Sequence, residues 1–358
     1  MRIELKNGGI AMKLEKLAWM KKISAKQIAS MCVIMVAIYF IAPFASRNSV
    51  EEEINMVGSM GSSYEDQVSE QTHTVFVMHE SGYLVKTEVL MDEEKSSVQT
   101  VFDSLQVGSP QLLSNVDGLI PASAVLRDYE TSDGGLTLNL SESFLYYRTS
   151  IEEDLLTSLV WSMTALPYID RVHFQIEGED VSNFNGHIDV GRGLTRAMGI
   201  NLEVDTANVA DAKMIMLYFF TDDSDNALLV PVTRLVANEV DPFEHAISSL
   251  VRGPVGGNYI SVFNHRATLL ESPLLENGIM TLNFSSELFF DQEQTQVSSL
   301  MIKQLVMTLT EFEEISEVSV VIEGSSRVFD DVGNPITVPV GREVLLNESV
   351  PGGVVKGY

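Results

Sequence analysis

The stretch LTLNLSESF, residues 136–144, returns as MTLNFSSELF, residues 280–289. In both, apolar and polar residues alternate with the two-residue period of a strand. Leu136, Leu138 and Leu140 fall on one face, and Thr137, Asn139 and Ser141 on the other. The repetition is not local. Upstream, the turn VGSP with Gly108 and Pro110 matches VRGP with Gly253 and Pro254. Downstream, Ile176-Glu177-Gly178 matches Ile322-Glu323-Gly324. All three matches keep an offset of about 145 residues, as a duplicated domain requires. The strand recurs because the domain recurs.

Working outward, both copies show the same order of elements. Two apolar runs open each copy, residues 73–79 and 84–90, then 214–220 and 227–235, all of strand length. A helix is expected over 96–106 and 242–251. In the second copy Asp241 caps it, Pro242 suits its first turn, Gly253-Pro254 ends it, and Phe243, Ile247 and Leu250 form its apolar face. A hairpin follows, 124–129 with 136–140 and 267–270 with 279–284, around Asp133-Gly134-Gly135 and Asn277-Gly278. A longer helix is expected over 152–166 and 292–312. The last strand, 171–177 or 318–323, stops at Gly178 or Gly324. The expected class is α+β, with helices packed on one face of a small, mainly antiparallel sheet, twice over.

The ordered set MLYFF, LVRGP, NGIMTLNFSSEL and VSVVIEGS resembles the GerMN domain family, over nearly everything from residue 73 to 342. The second copy matches more cleanly. The first has GSP for GP and a Gly-Gly turn. What the resemblance implies is a compact module similar to the ring-building motifs of sporulation and secretion proteins, which pack side by side around membrane channels. It also implies a tandem pair working between the mother cell and forespore membranes, with a role in sporulation and germination. A family member with such a pair is a lipoprotein. This sequence lacks a lipobox, so its anchoring departs from that pattern.

Composition narrows the partners. The chain of 358 residues carries 23 Lys and Arg against 50 Asp and Glu, a surface that repels phosphate backbones, so nucleic acid is excluded as a partner. A single cysteine, Cys32, excludes an internal disulfide and a Cys-built zinc site. The basic residues Arg2, Lys6, Lys13, Lys16, Lys21, Lys22 and Lys26 precede an uncharged apolar run, 28–45. At about 18 residues this run reads as an export segment, with the lysines inside and Glu51, Glu52 and Glu53 outside. Cleavage after Ala45 would place Pro43 third from last, which favours a retained signal anchor while leaving cleavage open. Whether Met1 or Met12 starts the chain is also open. The organisation expected is a basic cytoplasmic N-terminus at 1–26, a transmembrane anchor at 27–45, a linker at 46–72, GerMN domains at 73–200 and 213–343, and a tail at 344–358. The chain would cross the cell membrane once, with its domains outside. The polar segment 201–212 is expected to allow some motion between them.

Chemistry is sparse. His73, His79, His173, His187, His245 and His265 form no H-E-x-x-H pair, and His79-Glu80 reads as an exposed polar pair at a strand end. No G-x-S-x-G or S-x-x-K motif stands between a strand and a helix. Asp222-Asp223-Ser224-Asp225 lacks the ligand spacing of a calcium loop and reads as a solvated turn. Asn139 with Ser141, and Asn283 with Ser285, match a glycosylation sequon but read as strand-face polar groups with the serine near the next helix cap. Glu177 and Glu323 have no partner acid or base and read as solvent-facing strand ends. No catalytic, cofactor-binding or metal-binding residue is expected, and no cofactor.

Tyr146-Tyr147 and Phe289-Phe290 follow the repeated strand. Adjacent aromatics on a strand cannot both enter one core, so two arrangements are open: one ring of each pair partly exposed, to a neighbouring domain, a partner protein or a sugar ring, or one ring in the core and the other over the adjacent helix. The function expected is a non-enzymatic, membrane-anchored envelope protein that binds sporulation or channel proteins and associates with itself. The rival readings are a peptidoglycan or muropeptide binder and, third, a cell-wall hydrolase.

Overall fold

In the first copy β1 (Thr72–His79) and β2 (Leu84–Leu90) pair antiparallel, from Thr72↔Leu90 to Met78↔Leu84. The structure is a computed structural model that describes residues 71–186, 188–223, 227–291, 295–336 and 339–347. The expected anchor and basic N-terminus, most of the linker and tail, Cys32, His187, Ser224 and Asp225 lie outside those residues. Helix α1 (Ser97–Ser104) follows, its N-terminus capped by the Ser96 hydroxyl, which accepts from the Gln99 amide. The short β3 (Val116–Asp117) returns to pair with β1. Then β4 (Leu126–Ser132) and β5 (Gly135–Leu140) form a hairpin through Asp133 and Gly134, both at positive φ, the two-residue turn that matches strand twist. Helix α2 (Glu152–Met163), β6 (Arg171–Ile176) and β7 (Glu179–Asp180) complete the copy.

A connecting strand, β8 (Glu203–Asp205), precedes the second copy. There β9 (Ala212–Thr221) and β10 (Leu229–Ala237) form the opening hairpin, followed by α3 (Pro242–Arg252) and β11 (Tyr259–Ile260). As the sequence indicates, the Asp241 carboxylate caps α3 by accepting from the Glu244 amide. The rest is β12 (Leu274–Glu276), β13 (Ile279–Phe284), α4 (Ser299–Leu309), β14 (Glu317–Ile322), β15 (Val340–Gly341) and α5 (Arg342–Asn347).

The α+β class holds, but one sheet per copy is corrected to two. The repeated strand β5 pairs in parallel with β6, from Gly135↔Arg171 to Leu140↔Ile176, and β13 pairs in parallel with β14. Parallel neighbours need a crossover, and α2 and α4 supply it. The resulting four-stranded sheets, β4-β5-β6-β7 and β12-β13-β14-β15, are separate from the sheet that holds β1 and β2. Helix α2 touches β1 on one side and β6 on the other. Glu153 and Asp154 in its first turn are exposed, but from Leu155 to Met163 every residue is buried, Ser158, Trp161 and Ser162 included, so no flank of the helix beyond that turn meets water.

Two boundaries also move. The segment expected as a strand at 267–270 meets β13 only through the isolated bridge Leu269↔Phe284, and Pro273, which lacks the amide a ladder needs, separates it from β12 farther along. Helix α4 begins at Ser299, where the Ser298 hydroxyl caps it by accepting from the Met301 amide.

The opening hairpins of the two copies join in one seven-stranded sheet, with the path β11-β9-β10-β2-β1-β3 and β8 beside β10. Equivalent strands therefore meet antiparallel at its centre, through Leu229↔Lys86. Register makes Leu84 the counterpart of Leu229, and Lys86 that of Pro231. An approximate two-fold would pair Leu84 with Pro231. The Asn201 side chain sits there instead: its Oδ1 accepts from the Leu84 amide at 2.9 Å, and its Nδ2 donates to the carbonyls of Leu84 and Pro231, both at 2.7 Å. Where the two-residue strands β3 and β11 leave the edges of β1 and β9 uncovered, helix hydroxyls close them. Ser162 accepts from the Phe76 amide, Ser158 donates to the Phe76 carbonyl, and Thr308 accepts from the Tyr218 amide. Unpaired edge groups that would recruit another strand are thereby satisfied.

Candidate interaction surfaces

The recurring Asn, Ser and Glu form a clasp between the ends of β5 and β6, and again between β13 and β14. The Asn139 Oδ1 accepts from the Gly178 amide, and the Asn283 Oδ1 from that of Gly324. The Ser141 and Ser285 hydroxyls accept from the amides of Val125 and Thr268. Glu177 and Glu323 reach back to accept from the amides of Glu142 and Ser286, both at 3.1 Å. Both glutamates sit at positive φ ahead of a glycine, so these hydrogen bonds offset a backbone that a glutamate disfavours. Both glutamates are solvent-facing at the strand ends, as expected, and the hydrogen bonds add a structural role that the sequence did not show. Arg127 also donates to Glu177, and this bond, followed by the Glu142 amide, holds its carboxyl below the ordinary value.

Each aromatic pair splits. Tyr147 packs edge-on against Phe144 and donates to Glu152 at 2.6 Å, and Phe289 packs on the core, whereas Tyr146 is 70% exposed and Phe290 57%. At the offset of about 145 residues, Tyr146 and Phe290 are counterparts, each in the loop between the repeated strand and the buried helix. Burial and the bond to Glu152 push the Tyr147 hydroxyl well above its ordinary pKa.

At the junction of the copies, β8 carries two carboxylates into the second copy. Glu203 accepts from Arg234 Nε at 2.8 Å and from its Nη2, from the Tyr259 hydroxyl at 2.7 Å, and from the amides of Val255 and Gly256. Both charged side chains are buried. Burial, then the hydrogen bond to Glu203, raises the Tyr259 pKa far above that of a free tyrosine. Asp205 pairs with Arg252 at 2.8 Å and His245 at 3.3 Å. Burial works against the Asp205 carboxylate, but the Arg252 hydrogen bond and charge hold its pKa below the ordinary value; burial, then Arg252, lowers that of His245. The segment expected to allow motion is thus tied to both copies. Tyr83 of the first copy adds an edge-on contact with Tyr259 and donates to the Asn258 carbonyl.

Each buried helix is closed at its C-terminus by an arginine. Arg196 donates from Nε to the Thr164 hydroxyl and from Nη2 to the Trp161 carbonyl; Arg342 does the same to Thr310 and Met307. A cation there complements the free carbonyls and the helix dipole. Only Arg342 has a carboxylate partner among the described residues, Glu311. Arg196 lies over Trp161, 4.7 Å from the ring centroid.

His79, expected to be exposed, is buried and stacked on Tyr83, with its Nδ1 accepting from the Ser81 amide. Among the described residues no group of three or more His, Cys, Asp and Glu is placed to hold a metal ion. Asn201, Glu203, Arg196 and Arg342 escaped the sequence reading. For the arginines a signal existed, since both stand about 30 residues beyond their helix in each copy, at the repeat offset.

Three likenesses to known proteins bear on these observations. A family model described as "Germane: Sporulation and spore germination" matches residues 66–182 and 216–328. Spore germination protein GerM of Bacillus subtilis (strain 168) is 28% identical over 285 residues, covering 76% of this chain and 77% of that protein. The solved tandem GerMN domains of the sporulation protein GerM from Bacillus subtilis match with a TM-score of 0.68 at 25% identity, covering 76% of this chain and 97% of that one.

Proposed function

From the premise that the chain belongs to the Germane family of sporulation and spore germination proteins, with GerMN domains in tandem, we propose that it acts by binding rather than by catalysis. It is a membrane-anchored protein whose domains, at 73–200 and 213–343, work outside the cytoplasm on envelope or sporulation channel proteins. One observation carries this reading. The polar residues that recur in both copies are engaged in the fold's own hydrogen bonds, while the recurring Tyr146 and Phe290 are exposed. Exposed aromatic rings at equivalent positions suit a partner that meets both copies. They also favour a second reading, a peptidoglycan ligand stacked on the same rings.

The test is an affinity pull-down from membranes of sporulating cells. The chain is expected to recover channel or engulfment proteins, and replacing Tyr146 and Phe290 together by Ser is expected to reduce that recovery about tenfold. Stability should change by less than about 0.5 kcal/mol for each exposed replacement. Recovery of cell-wall fragments alone favours the second reading. A strict monomer that recovers no membrane complex contradicts the first.

A further inference from the structure

The two helix-capping arginines differ in one respect. Arg342 is neutralised by Glu311, and the counterpart of Glu311 in the first copy is Ala165. Arg196 is half-buried and has no carboxylate within ion-pair distance among the described residues, and its Nη1 has no hydrogen-bond partner there. It lines a groove at the junction of the copies, with Met214, Met216, Thr233, Phe312 and Glu311. The apolar floor continues along the sheet, where Val204, Leu235 and Met214 are cross-strand neighbours and both Val204 and Met214 are exposed. Glu311 also lines the groove and its charge favours that of Arg196, but its hydrogen bond goes to Arg342, so Arg196 itself holds no carboxylate in a chain whose net charge is −27.

We propose that this groove binds a partner protein through an apolar segment that carries a carboxylate, with the carboxylate on Arg196 and the apolar side chains on Met214, Met216 and Phe312. An arginine with a free edge is suited to a carboxylate by charge and by the direction of its N–H groups. The methionines offer an adaptable apolar floor. The second copy shows the arrangement filled internally, with Glu311 in the place the partner's carboxylate takes on Arg196. This inference rests on the reading that the chain works by binding a protein.

The test uses the full chain, solubilised in detergent, with fluorinated tryptophan at Trp19 and Trp161. The probe is N-acetyl-leucyl-phenylalanine with a free carboxylate, compared with its C-terminal amide. The acid is expected to shift the Trp161 fluorine resonance saturably while leaving Trp19 in place, and the amide to bind at least about tenfold more weakly. Ala165→Glu gives Arg196 an internal carboxylate without removing any contact of the arginine. It is expected to fold, to abolish the shift, and to reduce recovery of membrane partners. Equal shifts from acid and amide, or a shift that persists in Ala165→Glu, would overturn the proposal. So would binding of a peptidoglycan stem peptide without the dipeptide. If Ala165→Glu loses the shift but recovers partners undiminished, the groove is not their docking site, although the reading of the chain as a binding protein stands. If the wild-type chain recovers no partner, that broader reading fails instead.

Discussion

Replacing Glu203 with Ala is expected to destabilise the chain by about 3–5 kcal/mol, the cost of stranding a buried charge. The charge stranded is Arg234, which is 0% exposed and draws two of its donors' bonds from Glu203. Its Nη2 would keep only the Gly253 carbonyl, at 3.2 Å. The loss extends beyond the pair. The Tyr259 hydroxyl and the amides of Val255 and Gly256 also point at Glu203, and all would need new partners. Replacing both members, Glu203→Leu with Arg234→Met, should cost less than Glu203→Ala alone, because no charge is then left buried. Urea denaturation near neutral pH measures both. A cost below about 1 kcal/mol for Glu203→Ala would mean that water reaches Arg234 and that the connection is looser than its geometry indicates.

Trp161→Ala is expected to cost about 3–5 kcal/mol, the range for removing a large aromatic from a core. Trp161 meets Phe76 edge-on at 5.4 Å and lies beneath Arg196. Its indole Nε1 donates to the Gly199 carbonyl at 3.0 Å, which ties the end of the first copy to the segment leading into the second. Trp161→Phe separates the two contributions. It keeps most of the packing and leaves the Gly199 carbonyl unpaired, so about 1–2 kcal/mol is expected. Circular dichroism during urea unfolding is the measure, since fluorescence loses its main reporter. Equal costs for Ala and Phe would place the whole effect in the hydrogen bond and contradict a packed helix.

The strand that opens the sequence reading was legible because its period is local and its copy fixes the frame. The Asp133-Gly134 and Asn277-Gly278 turns and the Asp241 cap were legible for the same reason. Long-range pairing was less so. A strand, a helix and a strand in succession carry the signal of a parallel crossover, yet alternation in residues 136–140 is equally compatible with an antiparallel sheet. The second sheet was therefore read as part of the first. In α2 the Ser158 and Ser162 hydroxyls look like the polar side of an amphipathic helix, and only the tertiary structure gives them the backbone of Phe76 as a partner. The connection was misread in the same way. Asn201, Glu203 and Asp205 have the composition of a polar linker, but their partners lie in strands and helices far along the chain. Of the exposed surface, the aromatic pairs were legible from adjacency and recurrence, whereas the groove at Arg196 depends on Ala165 and Glu311 being counterparts.

The central claim is that the two GerMN copies are one body, joined through a shared sheet, with the connecting strand β8 held to the second copy by a buried ionic network. Differential scanning calorimetry of the compact unit, Ser69–Tyr358, tests it most directly. A shared sheet predicts a single transition whose calorimetric enthalpy equals the van't Hoff enthalpy, and in Glu203→Ala a lowered or split transition. Two separate transitions in the wild-type unit, with midpoints unaffected by Glu203→Ala, would contradict it.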